Sequence, residues 1–118
     1  MNQAILVGQL GNDATRRVTK SGLAVIQFPL VTKRRSTNSA GDTIESSTWH
    51  HIVYWGSRKP DSLKRIFAYL IQGKTVGVQG EIHLNEWDHN GERRYRTEIH
   101  TRAVTLLSGT EPKPSDLE

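Results

Sequence analysis

Only one patterned segment of this chain has helical spacing: Pro60 to Ile71, where Leu63, Ile66, Phe67, Leu70 and Ile71 recur on one face. Pro60 suits a first helical turn, with Asp61 and Ser62 nearby, and Gly73 fits a stop. Every other patterned segment alternates with the period of two that a strand requires. Ala4 to Leu10 is an apolar strand running into the turn Gly11-Asn12-Asp13. Leu23 to Val31 places Ala24, Ile26, Phe28 and Leu30 on one face, and Pro29 marks a bulge or an edge. Thr48 to Trp55 alternates most clearly. Lys74 to Trp87 carries Val76, Val78, Ile82 and Leu84 on one side. His89-Asn90-Gly91 is a hairpin turn signal before the last strand, Arg93 to Leu107. Residues 33–47 are polar, with Gly41-Asp42 near the middle, and are expected to form a long mobile hairpin loop. Residues 108–118 hold two prolines and no periodicity, and are expected to be a flexible tail.

The order is three strands, one helix, two strands. An all-β, five-stranded OB-fold barrel with one helix between strands 3 and 4 has this order. The expected domain is residues 1–107. A closed barrel removes exposed sheet edges and leaves one curved face free for a ligand.

The three tryptophans then become informative. Trp49, His51, Val53 and Trp55 share one face of their strand; Thr48, His50, Ile52 and Tyr54 share the other. Trp87 shares its strand face with Gln79, Glu81, His83 and Asn85. Flat aromatics among polar and basic neighbours form a stacking platform for unpaired bases. The competing explanations are core packing for Trp49 and Trp55, and cover of the barrel mouth for Trp87.

Charge points the same way. The chain carries a net +4, and residues 1–110 alone hold 15 basic and 9 acidic side chains. A basic body suits a polyanionic partner. Lys33, Arg34 and Arg35, with Lys74, Arg93 and Arg94, are the candidate phosphate contacts; solvated surface charge is the alternative for them.

Other chemistries find no complete pattern. The chain has no cysteine, so disulfides and thiolate metal sites are excluded. Gly73-Lys74-Thr75 resembles the end of a phosphate loop, but position 68 is alanine and the triplet leads from helix to strand, the reverse of that motif. His50 and His51 point to opposite faces and cannot chelate one ion. His83 and His89 lack completing ligands. Gly56-Ser57 lacks the rest of a nucleophile elbow. No enzyme, metal or cofactor is therefore expected. No segment resembles a signal peptide or a membrane span, so no membrane partner is expected and the cytoplasm is the default location.

Together these residues resemble the bacterial single-stranded DNA-binding proteins. The resemblance rests on Ile5-Leu6-Val7-Gly8-Gln9-Leu10-Gly11-Asn12-Asp13, on Thr48-Trp49-His50 with Tyr54-Trp55-Gly56, on Gly73-Lys74 through Val78-Gln79-Gly80-Glu81-Ile82, and on Trp87 followed by Gly91 and Tyr95. It covers residues 3–107. It implies a non-enzymatic homotetramer that coats single-stranded DNA in replication, recombination and repair. The family's stacking aromatics fall on Trp49, Trp55 and Trp87, with Trp55 standing where phenylalanine is frequent. A further family aromatic, at the entry to the long loop, is replaced here by Lys33, Arg34, Arg35 and Ser36, which implies more salt-dependent binding. His50 matches a position near the family's subunit interface. The family typically ends in an acidic tip closing with Pro-Phe that recruits replication and repair proteins. This chain ends Ser115-Asp116-Leu117-Glu118, so it is expected to be either a truncated domain or a branch without that recruitment. The other functional reading is an OB-fold primosome or replication accessory protein acting mainly through protein contacts.

Overall fold

The computed structural model describes residues 1–56 and 60–107, the side chains of residues 60–62 apart. Seven elements follow in order: β1 (Ala4–Leu10), β2 (Thr15–Val18), β3 (Ala24–Thr37), β4 (Thr43–Trp55), α1 (Pro60–Tyr69), β5 (Thr75–His89) and β6 (Glu92–Leu106). Their hydrogen-bonded order is β1-β5-β6-β4-β3-β2. The sheet closes because the end of β1 also pairs with β3, at Gln9 with Val31 and Leu10 with Leu30. Five strands thus form a closed barrel, with β2 attached outside the closure and the helix between the third and fourth barrel strands. This is the expected OB-fold. No helix among the described residues is long and apolar enough to cross a membrane.

The barrel fills with the inward residues of the alternating strands. Ile26, Phe28 and Leu30 of β3 meet Ile52 and Tyr54 of β4, Val76 and Val78 of β5, and Ile99 of β6. Leu63 and Leu70 close one end from the helix side, with Ile66 and Phe67 packed against them. Each fully buried aliphatic or aromatic side chain contributes about 1.5–3 kcal/mol, so this cluster is the main stabilising feature. Burial also pushes the Tyr54 hydroxyl above its ordinary pKa.

Three features differ from expectation. First, residues 33–47 are largely strand: β3 and β4 stay paired from Lys33–Ser47 out to Thr37–Thr43. Only residues 38–42 turn, tied by the Asn38 side chain, which accepts from the amides of Ala40 and Asp42. This hairpin stands clear of the barrel with both faces exposed, so no apolar alternation marks it. Second, β2 is an additional strand of four exposed residues, held only by pairing with Ala24–Gln27. Third, Ile82 and Leu84 are exposed, unlike Val76 and Val78 earlier on the same strand. The β5–β6 hairpin outruns the barrel there. Its register shifts at Gln79/Gly80, where Arg102 becomes the extra residue. Thr101 holds that bulge, its Oγ1 lying 2.6 Å from the Gln79 carbonyl and accepting from the Ala103 amide at 3.0 Å. The expected tail, 108–118, and Ser57 lie outside the described residues.

Candidate nucleic-acid interface

The strand register fixes which side chains share the outer face. On β4 these are Trp49, His51, Val53 and Trp55, since Ile52 and Tyr54 point into the core. His51 lies beside Glu98 and Val53 beside His100 on β6. Across β5, Glu98 opposes His83, Arg96 opposes Asn85, and Arg94 opposes Trp87. On the other side, Trp49 opposes Val31, Ser47 opposes Lys33, and Glu45 opposes Arg35. One continuous face therefore carries all three tryptophans.

Each tryptophan is held differently. Trp49 is 63% exposed, and its six-membered ring lies against Gly11, where a Cβ would overlap it. Trp55 is half-buried; its indole N–H donates to His100 Nδ1 at 3.0 Å. Trp87 is 39% exposed, with the Arg96 guanidinium 5.6 Å from its ring centroid.

The cations divide. Lys33 and Arg35 lie on the Trp49 face, both near Glu45, at 3.7 and 3.8 Å. Arg94 lies on the Trp87 face, 3.7 Å from Glu92. Arg34 and Arg93 have the opposite parity and point away from the tryptophans; Arg93 instead pairs with Glu86 at 2.7 Å. Lys74 belongs to the turn before β5, where its carbonyl accepts from the Leu10 amide beside Gly11. His50 lies on the inner side of β4, half-buried, its Nε2 2.8 Å from Thr32 Oγ1.

Beside Trp55 the face is concave. A groove of about 700 Å³ is lined by Trp55, Gln79, Glu81, His83, His100 and Arg102. A second hollow of about 400 Å³ shares Trp55, His83 and His100 with it, and adds Arg17, Gln27, Arg96 and Glu98. His83 and His100 stack with ring centroids 4.1 Å apart. Trp55 was expected on this face, but Arg96, Glu98, His100 and Arg102 were not singled out from sequence, because their association with it depends on the register of three strands. The available signal was the alternation of Arg94, Arg96, Glu98 and His100 along β6.

Glu98 is the buried charge of this face, only 4% exposed. Burial alone would raise its pKa. Hydrogen bonds from His100, Arg96 and Asn85, with the charge of Arg96, outweigh burial and hold the carboxyl below its ordinary value. His51 is shifted down, first by burial, then by Arg96 and His100, against the opposing pull of Glu98. Its Nε2 is buried without a hydrogen-bond partner. No group of three or more histidine, aspartate or glutamate side chains among the described residues could hold a metal ion.

Residues 1–107 match the model of the single-strand binding protein family. The chain belongs to that family. A relative from Chlorobaculum tepidum, single-stranded DNA-binding protein 1, is 39% identical over 109 residues, covering 91% of this chain and 65% of the relative. The single-stranded DNA-binding protein of Treponema pallidum is 36% identical over 107 residues, covering 91% and 58%. The chain thus spans less than two thirds of the length of these curated relatives. Among solved structures, the Plasmodium falciparum SSB complex with ssDNA is similar with a TM-score of 0.79 at 25% identity, covering 92% of this chain and 96% of that one. The fold also matches a deletion mutant of the Thermus aquaticus protein, with a TM-score of 0.75 at 23% identity, covering 93% and 52%.

Proposed function

We propose that this protein binds single-stranded DNA without sequence preference, and coats strands exposed in replication, recombination and repair in the cytoplasm. The observation that carries this reading is the single outer face on which Trp49, Trp55 and Trp87 lie with Lys33, Arg35 and Arg94. Bases stack on the indoles, each stack contributing about 1–3 kcal/mol. Cations beside them meet the phosphates and release counterions. Arg34 and Arg93 are not part of this face, and Lys74 is a contact only at its margin. Binding requires no bond making, so the protein acts without catalysis.

A homotetramer is part of the same proposal. Ile82, Leu84 and Tyr95 are exposed apolar side chains, at 48–62% of their surface, that alternate away from the tryptophan face. Apolar surface of this kind suits burial against further copies. His50 is the expected neighbour of that contact. Replication and repair proteins are the further partners that membership of the family suggests.

Titration with oligo-dT, followed by tryptophan fluorescence, tests the binding reading. Strong quenching and preference over duplex are expected; no quenching at micromolar DNA and low salt contradicts it. Light scattering tests the assembly, and a monomer at micromolar concentration refutes the tetramer.

A further inference from the structure

Two of the three tryptophans meet at one buried carboxylate. Glu98 Oε1 accepts from His100 Nε2 at 2.9 Å, and His100 Nδ1 accepts from the Trp55 indole at 3.0 Å. That pattern fixes the His100 tautomer, with its proton on Nε2. Glu98 Oε2 accepts from Arg96 Nη2 at 2.9 Å and Nε at 3.3 Å, and from Asn85 Nδ2 at 3.3 Å. The same Arg96 guanidinium sits over Trp87. A continuous polar chain therefore runs Trp55, His100, Glu98, Arg96, Trp87.

A negative charge on a face meant for a polyanion opposes binding if it acts only through its field. Its burial and its full set of donors give it a different role. We infer that Glu98 is a positioning residue that holds Trp55 and Trp87 in their stacking orientations before DNA arrives. The inference rests on the single-stranded DNA reading and deepens it. An unlinked indole must give up rotamer freedom when a base stacks on it, and a pre-set indole avoids that cost. Glutamine at this position supplies one acceptor oxygen where the carboxylate supplies two, so either the His100 arm or the Arg96 arm loses its anchor.

The test uses the full chain and oligo-dT. Glu98→Gln is expected to weaken binding roughly 2- to 12-fold, the equivalent of ordering one side chain. A purely electrostatic role predicts the opposite sign, because a negative charge has been removed. In a Trp55→Ala, Trp87→Ala background the same substitution is expected to change affinity by less than about twofold, since the groups it positions are gone. The indole N–H resonances of Trp55 and Trp87, recorded without DNA, are expected to shift or exchange faster in Glu98→Gln. A folded Glu98→Gln protein with unmoved indole signals and equal or tighter binding overturns the inference. If Glu98→Gln does not fold, His100→Phe decides: it keeps a ring against His83 but removes the acceptor for Trp55. Faster exchange of the Trp55 indole alone supports the chain, and unchanged exchange overturns it. If wild-type protein fails to bind oligo-dT while the indole signals respond as expected, the DNA reading fails and the positioning stands.

Discussion

Gly11→Ala separates the stacking role of Trp49 from the stability of the barrel. Gly11 lies beneath the Trp49 ring. An alanine Cβ there would overlap Cζ3, and would stand 2.6 Å from Cη2 and 3.0 Å from Cε3. Ordinary carbon contact needs about 3.5 Å, so the indole must retreat by about 1 Å or swing away. It has room to do so, because Trp49 is 63% exposed. Gly11 is not among the glycines with positive φ, so alanine is compatible with its backbone. Replacing such a glycine lowers the entropy of the unfolded chain, a gain of about 0.4–1 kcal/mol that offsets lost ring packing. Stability should therefore change by less than about 1 kcal/mol. Binding should fall by a share of one stack, about 3- to 30-fold from the 1–3 kcal/mol range. Urea unfolding gives the first quantity, and anisotropy of labelled oligo-dT the second. In a Trp49→Ala background the substitution should leave affinity unchanged. A stable Gly11→Ala protein that binds like wild type would refute the claim that Trp49 is a platform seated on Gly11.

Three further outcomes are expected. Trp49→Ala, Trp55→Ala and Trp87→Ala should each weaken oligo-dT binding by about 5- to 150-fold, with the fold retained by circular dichroism; a variant that unfolds identifies its tryptophan as a core residue. Lys33→Ala and Arg35→Ala should each reduce the slope of log affinity against log salt by about 0.7, whereas Arg34→Ala, on the opposite strand face, should leave it unchanged. Equal effects for all three would show that strand parity does not govern phosphate contact. His51 and Glu98 both have lowered pKa values in the fold, from ordinary values of 6.5 and 4.5. The unfolded chain therefore holds more protons at these sites, so stability is present at neutral pH and is lost on acidification, first below about pH 6.5 and again below about pH 4.5. Urea midpoints between pH 8 and pH 4 measure this, and a rise in stability from pH 7 to 5.5 contradicts it.

Much of the barrel was legible because its strands bury one face. Ile26, Phe28 and Leu30, like Ile52 and Tyr54, show the period of two that burial imposes. The helix was legible for the same reason at a different period. The outer hairpin was not, because Lys33–Thr37 and Thr43–Ser47 bury neither face, and polarity there looks the same in a strand or a loop. The parity of Arg34 likewise has meaning only once the segment is a strand. Ile82 and Leu84 continue the pattern of Val76 and Val78, and nothing within β5 marks where the barrel ends. The tryptophan face was readable strand by strand. The chain from Trp55 through His100 and Glu98 to Arg96 was not, since it joins residues up to 45 positions apart.

The central claim is that single-stranded DNA lies across the tryptophan face. Photo-crosslinking of oligo-dT carrying 5-iododeoxyuridine, followed by peptide mapping, tests it most directly. The account predicts adducts at Trp49, Trp55 and Trp87. Adducts confined to Tyr95 and the rest of the opposite face, with the tryptophans unmodified, would contradict it.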